Sequence, residues 1–300
     1  MRFFRNANFD FLAQRRRAYM VSGAMLLVGI ISLILHGGPR YGVDFTGGTL
    51  IQVEFEQETS VADLRSILSS AGMENAQIQQ FGGSNDFLIR TQDFEGIVEE
   101  VSTLLRDNYG ADGFTMSTDA VGPKVGSELQ RKAAIAILMS FALTLVYLAF
   151  RFEWRFGVAA IIATFHDITV TFGFISLFNI EITLATVAAI LTILGYSLND
   201  TIVVFDRIRE NLKKRRKDSY KDIVNASINE TLPRTVLTSG TTLATLMALF
   251  ILGGTVVRPF ALVLILGIVI GTYSSIFVAS PALLEIEERS RRREKKKGHH

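Results

Sequence analysis

Six long apolar stretches divide this chain and limit what it can fold into. Each runs for about 18 to 22 residues, the length of helix that crosses a hydrocarbon core of roughly 30 Å. A hydrophobic fraction of 49% also suits soluble domains, so the grouping of the apolar residues decides the class. The sequence predicts an α-helical multi-pass membrane protein with spans at Ala18–Leu35, Ala133–Phe150, Gly157–Phe178, Ile182–Phe205, Thr235–Leu252 and Phe260–Pro281.

Basic residues collect before the first span, between the fourth and fifth spans, and after the last span, whereas the short loops of opposite parity offer only Arg258. Because positive residues mark the cytoplasmic side, we predict that both termini are cytoplasmic and that the number of spans is even. Such clusters are typical of topology signals and lipid headgroup contacts, and no nucleic-acid partner is expected. They comprise Arg2, Arg5 and Arg15–Arg17, then Arg207–Lys221, then Arg289–Lys297.

One segment is large enough to fold outside the membrane. Its strand and helix signals follow the order β-α-β-β-α-β, which predicts a small α+β domain of ferredoxin-like arrangement. The predicted organisation is a cytoplasmic N-terminus at 1–17, a first transmembrane helix at 18–36, the extracytoplasmic domain at 37–132, a five-helix transmembrane bundle at 133–281 and a basic cytoplasmic tail at 282–300. Residues 298–300 are typical of a purification-tag remnant.

Asp200 lies inside an apolar run, Leu184–Phe205, that contains no basic residue. A carboxylate at membrane depth costs roughly 2.5 kcal/mol or more, so it is rarely kept without a partner, a water-filled cavity or a proton to carry. Asn199 is its neighbour, and Arg234 can reach it if spans four and five pack together. A charge pair that protonation breaks suits coupling to a proton gradient, so these three residues are predicted to form a proton relay.

Asp167, in the middle of the third predicted span, is the second acid at membrane depth, and it lies beside His166. Asp167 shares one helical face with Thr164 and Thr171, as spacings of three and four residues require. The pattern leaves two interpretations open: Asp167 and His166 belong to the proton relay, or they are polar contacts that brace neighbouring helices.

Enzyme signatures are sparse. The chain has no cysteine, its glycines at Gly122–Ser127 have the wrong order for a phosphate-binding loop, and two of its four histidines lie at the C-terminus. We therefore expect no enzymatic activity, no metal and no cofactor. One enzymatic alternative stays open, an aspartyl dyad of Asp167 and Asp200 for intramembrane proteolysis, although the residues before Asp200 are not glycine-rich.

Glycines mark two further features. Gly267 and Gly271 are spaced for close contact between helices, and Gly195 is assigned the same packing role. After the first span, Asp44, Gly47 and Gly48 form an extracytoplasmic motif. A tight turn that fixes the outer domain to the membrane is favoured there over a ligand-binding loop.

Five motifs resemble, in order, those of the SecD/SecF family of bacterial protein-export membrane proteins: Tyr41–Thr49, Val121–Leu129, Ala163–Asp167, Leu191–Asn211 and Arg234–Thr242. This family lies within the resistance–nodulation–division superfamily, whose transporters combine two six-span halves. The resemblance implies one such half in the bacterial cytoplasmic (inner) membrane, paired with a SecD-like subunit. It also implies work with the SecYEG channel, a translocating preprotein and often YajC. It assigns the relay acid to Asp200 and a gating arginine to Arg234.

The sequence thus predicts an auxiliary subunit of Sec protein export that uses the proton-motive force to promote preprotein translocation and release at the outer face of the membrane. Two alternatives remain. One is a small-molecule/proton antiporter that acts as a homodimer of such halves, and the other is a non-conducting scaffold subunit.

Overall fold

The computed structural model describes residues 8–74, 76–80, 83–91 and 96–297. The basic residues Arg2 and Arg5 and the expected tag remnant at 298–300 lie outside these ranges. The chain forms two compact units. We call Met1–Arg40, Ile137–Glu181 and Ala185–His300 the helical unit, and Tyr41–Ala136 with Ile182–Leu184 the sheet unit.

The described secondary structure begins with a short 3-10 turn at Leu12–Gln14. The helices that follow are α1 (Arg15–Leu35), α2 (Val43–Thr46), α3 (Val61–Ser70), α4 (Ile97–Tyr109), α5 (Pro123–Arg151), α6 (Trp154–Leu177), α7 (Leu184–Lys214), α8 (Tyr220–Leu252), α9 (Gly254–Ser274) and α10 (Ser280–Lys297). The strands are β1 (Gly48–Phe55), β2 (Gln77–Gln80), β3 (Asp86–Thr91) and β4 (Phe114–Val121).

Within the described ranges, six helical segments are long and apolar enough to cross a membrane, which confirms the predicted class of multi-pass helical membrane protein. They extend beyond the predicted apolar runs because amphipathic ends continue the helices past the hydrocarbon core. The sixth segment joins α9 to α10 through one π-helical stretch, Ser275–Ala279. The six segments are Leu12–Leu35, Lys124–Arg151, Trp154–Leu177, Leu184–Lys214, Tyr220–Leu252 and Val257–Arg292.

The sheet unit contains the four-stranded antiparallel sheet that the strand and helix signals predicted. Its order is β2-β3-β1-β4, the ferredoxin-like order for a β-α-β-β-α-β chain. Val53 of the central strand β1 lies opposite Phe87 of β3 and Met116 of β4. Alternate residues of β1 are buried because only one face of the sheet is covered by helices, through residues such as Leu64 and Val101.

In the helical unit, contacts join the N-terminal segment and α1 to α8, α10 and α6. The backbone carbonyl of Phe9 accepts hydrogen bonds from Asn225 and Asn229 of α8, each at 2.9 Å. The Tyr19 hydroxyl of α1 donates to Glu285 of α10 at 2.9 Å. At the other end of α1, Gly29 meets Gly173 of α6, where a Cβ on Gly29 would lie only 2.7 Å from the Gly173 Cα. Only glycine permits this approach of two helix backbones.

Candidate functional site

Asp200 is 2% exposed, and the side chains within hydrogen-bond distance of its carboxylate belong to two other helices. Ser239 of α8 donates to Oδ2 at 3.3 Å, and Thr272 of α9 donates to the same oxygen at 3.5 Å. The two hydroxyls also lie 2.8 Å from each other. Both hydrogen bonds to the acid are long, and hydroxyls are neutral donors, so this buried carboxyl group has partners that suit either of its protonation states.

Arg234 lies on α8, five residues before Ser239, and interacts with Asp200 as a charge at longer range. No ion pair within 4.0 Å joins these two described residues, and Arg234 is exposed in this chain. Asn199 is also exposed, and it makes no side-chain hydrogen bond to Asp200. The structure therefore brings hydroxyls, rather than the expected amide and guanidinium groups, into contact with the acid.

Asp167 forms a second buried cluster on α6. It is 1% exposed, and its Oδ1 lies 2.9 Å from Nδ1 of the adjacent His166. The hydroxyl of Ser197, on α7, donates to Oδ2. His166 is also buried, and its Nε2 has no hydrogen-bond partner within the described part of the chain. Ser197 precedes Asp200 by less than one helical turn, so α7 supplies both acid clusters.

The glycines of α9 explain why Thr272 reaches Asp200. A Cβ on Gly267 would lie 2.2 Å from the side chain of Ile193, and one on Gly271 would lie 2.8 Å from the Ser197 Cβ. These two glycines let α9 approach α7 closely along successive turns. Thr272 directly follows Gly271. The same close contact between α9 and α7 therefore places the Thr272 hydroxyl within hydrogen-bond distance of the Asp200 carboxylate.

Gly195 packs against no other helix within the described part of this chain. No atom outside its own helix backbone and chain neighbours lies within 4 Å of a Cβ built at Gly195, and the residue is exposed. Its face of α7 is a row of small or polar exposed residues at spacings of three and four: Ala185, Ala188, Thr192, Gly195 and Asn199. The glycine spacing alone does not tell which face of a helix meets a neighbour, and that explains the difference.

Below the acids, polar contacts tie α7 to α8. Glu230 of α8 accepts hydrogen bonds from Arg207, from Asn211 at 2.8 Å and from Arg215 at 2.7 Å. Asn211 is buried and also donates to Ser227 at 2.9 Å. Because charged hydrogen bonds fix geometry, this cluster holds the helix of Asp200 beside the helix of Arg234 and Ser239.

The motif of Asp44, Gly47 and Gly48 lies in the sheet unit. Gly47 and Gly48 have φ of +74° and +112°, which side-chain-bearing residues rarely adopt, so the backbone accounts for both glycines. The Asp44 carboxylate accepts a hydrogen bond from the backbone N–H of Leu184, the first residue of α7, at 2.7 Å. This geometry is that of a tight turn.

Among the described residues, no group of three or more acidic, histidine or cysteine side chains could hold a metal ion. Asp167 and Asp200 share no hydrogen-bond partner there. The reasoning from the sequence did not single out Ser197 or Thr272. The sequence did hold part of the signal for these two residues, because Ser197 lies three residues before Asp200 and Thr272 follows Gly271. Which hydroxyl contacts which acid depends, however, on which helices pack together.

These features define a class: a helical membrane protein with six spans, a ferredoxin-like sheet unit and acids buried among its spans. Comparison with known proteins identifies the family within this class. A family model described as protein export membrane protein SecD/SecF, C-terminal, matches residues 100–289, and one for the SecD/SecF GG motif matches residues 32–59. This chain belongs to the SecD/SecF family of protein export membrane proteins.

Relatives named protein translocase subunit SecF match over most of their length. The protein from Gemmatimonas aurantiaca is 47% identical over 301 residues, which cover 96% of this chain and 90% of the relative. The protein from Escherichia coli O157:H7 is 39% identical over 284 residues, with 93% and 88% covered.

Two solved structures share the fold. The crystal structure of SecDF from Thermus thermophilus, described as a translocon-associated membrane protein, has a TM-score of 0.86 and 39% identity, and the match covers 96% of this chain. SecDF in a super-membrane-facing form has a TM-score of 0.69, also at 39% identity. The chain spans 40% of the length of each of these solved chains.

Proposed function

We propose that this protein is an auxiliary subunit of the bacterial Sec export machinery that uses the proton-motive force to promote preprotein translocation and release at the outer face of the membrane. Family membership and the SecF relatives support the export role. The observation that carries the proton coupling is Asp200, an acid buried to 2% exposure in a membrane span, with neutral hydroxyls as its hydrogen-bonding partners.

In the proposed cycle, Asp200 takes a proton from the outer side and releases it inward. When Asp200 is ionised, the charge of Arg234 stabilises it without direct contact, and when Asp200 is protonated that attraction disappears. Ser239 and Thr272 belong to helices α8 and α9, so a change in the charge of Asp200 acts on three helices together. Asp167 and His166 belong to the adjacent cluster and complete the proposed relay.

A second half is part of the proposal. The solved SecDF chains are longer than this chain, which supports a SecD-like partner for it. The exposed row on α7 that contains Gly195 and Asn199 is suited to close helix contact with such a partner. SecYEG, YajC and the preprotein are further proposed partners, and the inner membrane with both termini cytoplasmic is the proposed location.

The test reconstitutes wild type, Asp200→Asn and Arg234→Met, each with the SecD-like partner and the export channel, in proteoliposomes. Preprotein translocation is measured with and without an imposed proton gradient. We expect the gradient to stimulate only the wild type, because Asn cannot exchange a proton and Met cannot stabilise the ionised acid. Full stimulation of Asp200→Asn would contradict the coupling role of the acid.

The same preparations separate the rival functions. A scaffold subunit would lower complex stability on Asp200→Asn without changing the dependence on the gradient. An antiporter formed from two copies of this chain would purify as a stable self-dimer and export small molecules without the SecD-like partner.

A further inference from the structure

The turn Tyr41–Gly48 makes contacts in the sheet unit that the proposed proton cycle does not explain. It leads directly into the central strand β1, which pairs with both β3 and β4. Gly47 and Gly48 have positive φ, which side-chain-bearing residues rarely adopt, so the direction of the chain from the turn into the strand is fixed. The turn is therefore a stiff extension of the sheet.

The same turn holds the residues at which α7 begins. Tyr41 forms a parallel bridge with Ile182, and the N–H of Gly42 donates to the carbonyl of Ile182 at 2.9 Å. Asp44 then accepts the N–H of Leu184 at 2.7 Å. A carboxylate at this position satisfies a free helix N–H and interacts favourably with the positive end of the helix dipole. Three positions of the turn, Tyr41, Gly42 and Asp44, thus bind two residues at the start of α7, Ile182 and Leu184.

The turn also meets the first turn of α5. A Cβ on Gly126 would lie 3.0 Å from the Gly47 nitrogen and 3.0 Å from the Phe45 carbonyl oxygen. Backbone therefore lies against backbone, with no room for a side chain. The short segment Tyr41–Gly48 thus leads into the central strand β1 and contacts the starts of two membrane-spanning helices, α5 and α7.

The contacts of the turn with Leu184 are linked to Asp200 because both residues lie on the continuous helix α7. Leu184 belongs to the sheet unit and Ala185 to the helical unit, yet both lie in the single helix α7. Asp200 follows Leu184 along that helix, at a rise of about 24 Å. A displacement of the helix start is transmitted along an α-helix because its hydrogen-bond ladder resists stretching.

We propose that Asp44 is a positioning residue that couples the sheet unit to the proton-relay helix by holding the N-terminus of α7 through the Leu184 N–H. The inference rests on the proposed function. Without this hydrogen bond, protons still reach Asp200, but the movement of α7 no longer drives the sheet unit.

The experiment measures two quantities in the same proteoliposomes, assembled from the full chain, the SecD-like partner and the export channel. One is gradient-stimulated preprotein translocation, and the other is proton entry, followed with a pH-sensitive dye trapped in the vesicles. For Asp44→Ala we expect stimulation to fall about fivefold, the factor typical for loss of an N-cap, while proton entry stays near the wild-type rate. Asp200→Asn should lose both.

Two matched variants remove caps elsewhere. Asp63→Ala breaks the capping box of α3 inside the sheet unit, where the Asp63 carboxylate accepts the Ser60 N–H at 3.3 Å. Ser219→Ala removes the cap of α8, where the Asp222 N–H donates to Ser219 at 3.1 Å. Both variants should keep stimulated translocation. Asp44→Asn retains an oxygen acceptor and should restore most of the stimulation, because Asn and Asp are comparable N-caps.

The outcomes separate this inference from the function on which it rests. If wild type shows neither proton entry nor stimulation by the gradient, the proposed function fails. If wild type responds and Asp44→Ala responds equally, only the inference fails. Loss of both quantities in Asp44→Ala would reduce Asp44 to a structural residue. Equal loss of stimulation in Asp44→Asn and Asp44→Ala would overturn the capping role.

Discussion

Gly267 of α9 lies directly against Ile193 of α7, so closely that a Cβ on the glycine would lie 2.2 Å from Ile193 Cδ1. One turn further on, Gly271 lies against Ser197 in the same way. The pair sets the distance between the two helices that supply Asp200 and Thr272. Close packing is therefore a condition of the candidate site, because a wider separation would break its long hydrogen bonds.

The first prediction concerns this contact. Gly267→Ala should lower the free energy of unfolding by about 1 to 3 kcal/mol, the usual cost of overpacking, since the Ile193 side chain must shift. Thermal unfolding of the purified chain in detergent measures it. Gly195→Ala is the matched control, because open space surrounds that position and alanine favours helix. Equal melting temperatures for both variants would contradict the close contact.

The second prediction concerns Asp167. Ser197→Ala removes a buried donor from its carboxylate and should destabilise the chain by about 1 to 3 kcal/mol, the penalty for an unsatisfied buried polar group. Thr192→Val, on the same helix, removes an exposed hydroxyl that donates only to its own helix at Ala188, and should change stability little. Unfolding in detergent compares the two. Equal free energies of unfolding for the two variants would show that the hydrogen bond from Ser197 to Asp167 adds no net stability.

The third prediction concerns the hydroxyls around Asp200. Ser239→Ala with Thr272→Val should reduce gradient-stimulated translocation, because both donors to the acid are lost. In the Asp200→Asn background the same changes should have no further effect, as expected for residues that act through one group. Translocation assays on the four combinations form the cycle. Additive losses would mean that the hydroxyls act independently of Asp200.

The fourth prediction concerns the glycine turn. Gly47→Ala should destabilise the sheet unit by about 1 to 3 kcal/mol, because φ of +74° with ψ of 170° is a region restricted to glycine. Gly122→Ala, where a Cβ has open space and φ is not positive, should be tolerated. Hydrogen exchange of the β1 amides reports the local loss. Wild-type protection in Gly47→Ala would show that the turn relaxes without cost.

Hydropathy and charge were sufficient to predict the six helical segments, since apolar length and backbone satisfaction in lipid leave few options. Strand alternation and turn residues likewise predicted the ferredoxin-like order of the sheet. Asp200 was found because a carboxylate in an apolar run is costly. Its hydroxyl partners were not, because Ser239 and Thr272 belong to other helices and only tertiary packing selects them. The same limit explains why Gly267 packs while Gly195 faces open space in this chain.

The π-helical stretch Ser275–Ala279 sets the rotational phase of the sixth span. Before it, Thr272 faces the acid site, and after it, Glu285 receives the Tyr19 hydroxyl and Glu287 pairs with Arg155. The wider π turn lets the two halves of this span contact different neighbouring helices. Because a π turn holds about one residue more than an α turn, these five positions are the part of the span that best accommodates the loss of one residue. A deletion in the α-helical parts would instead rotate all that follows by about 100°.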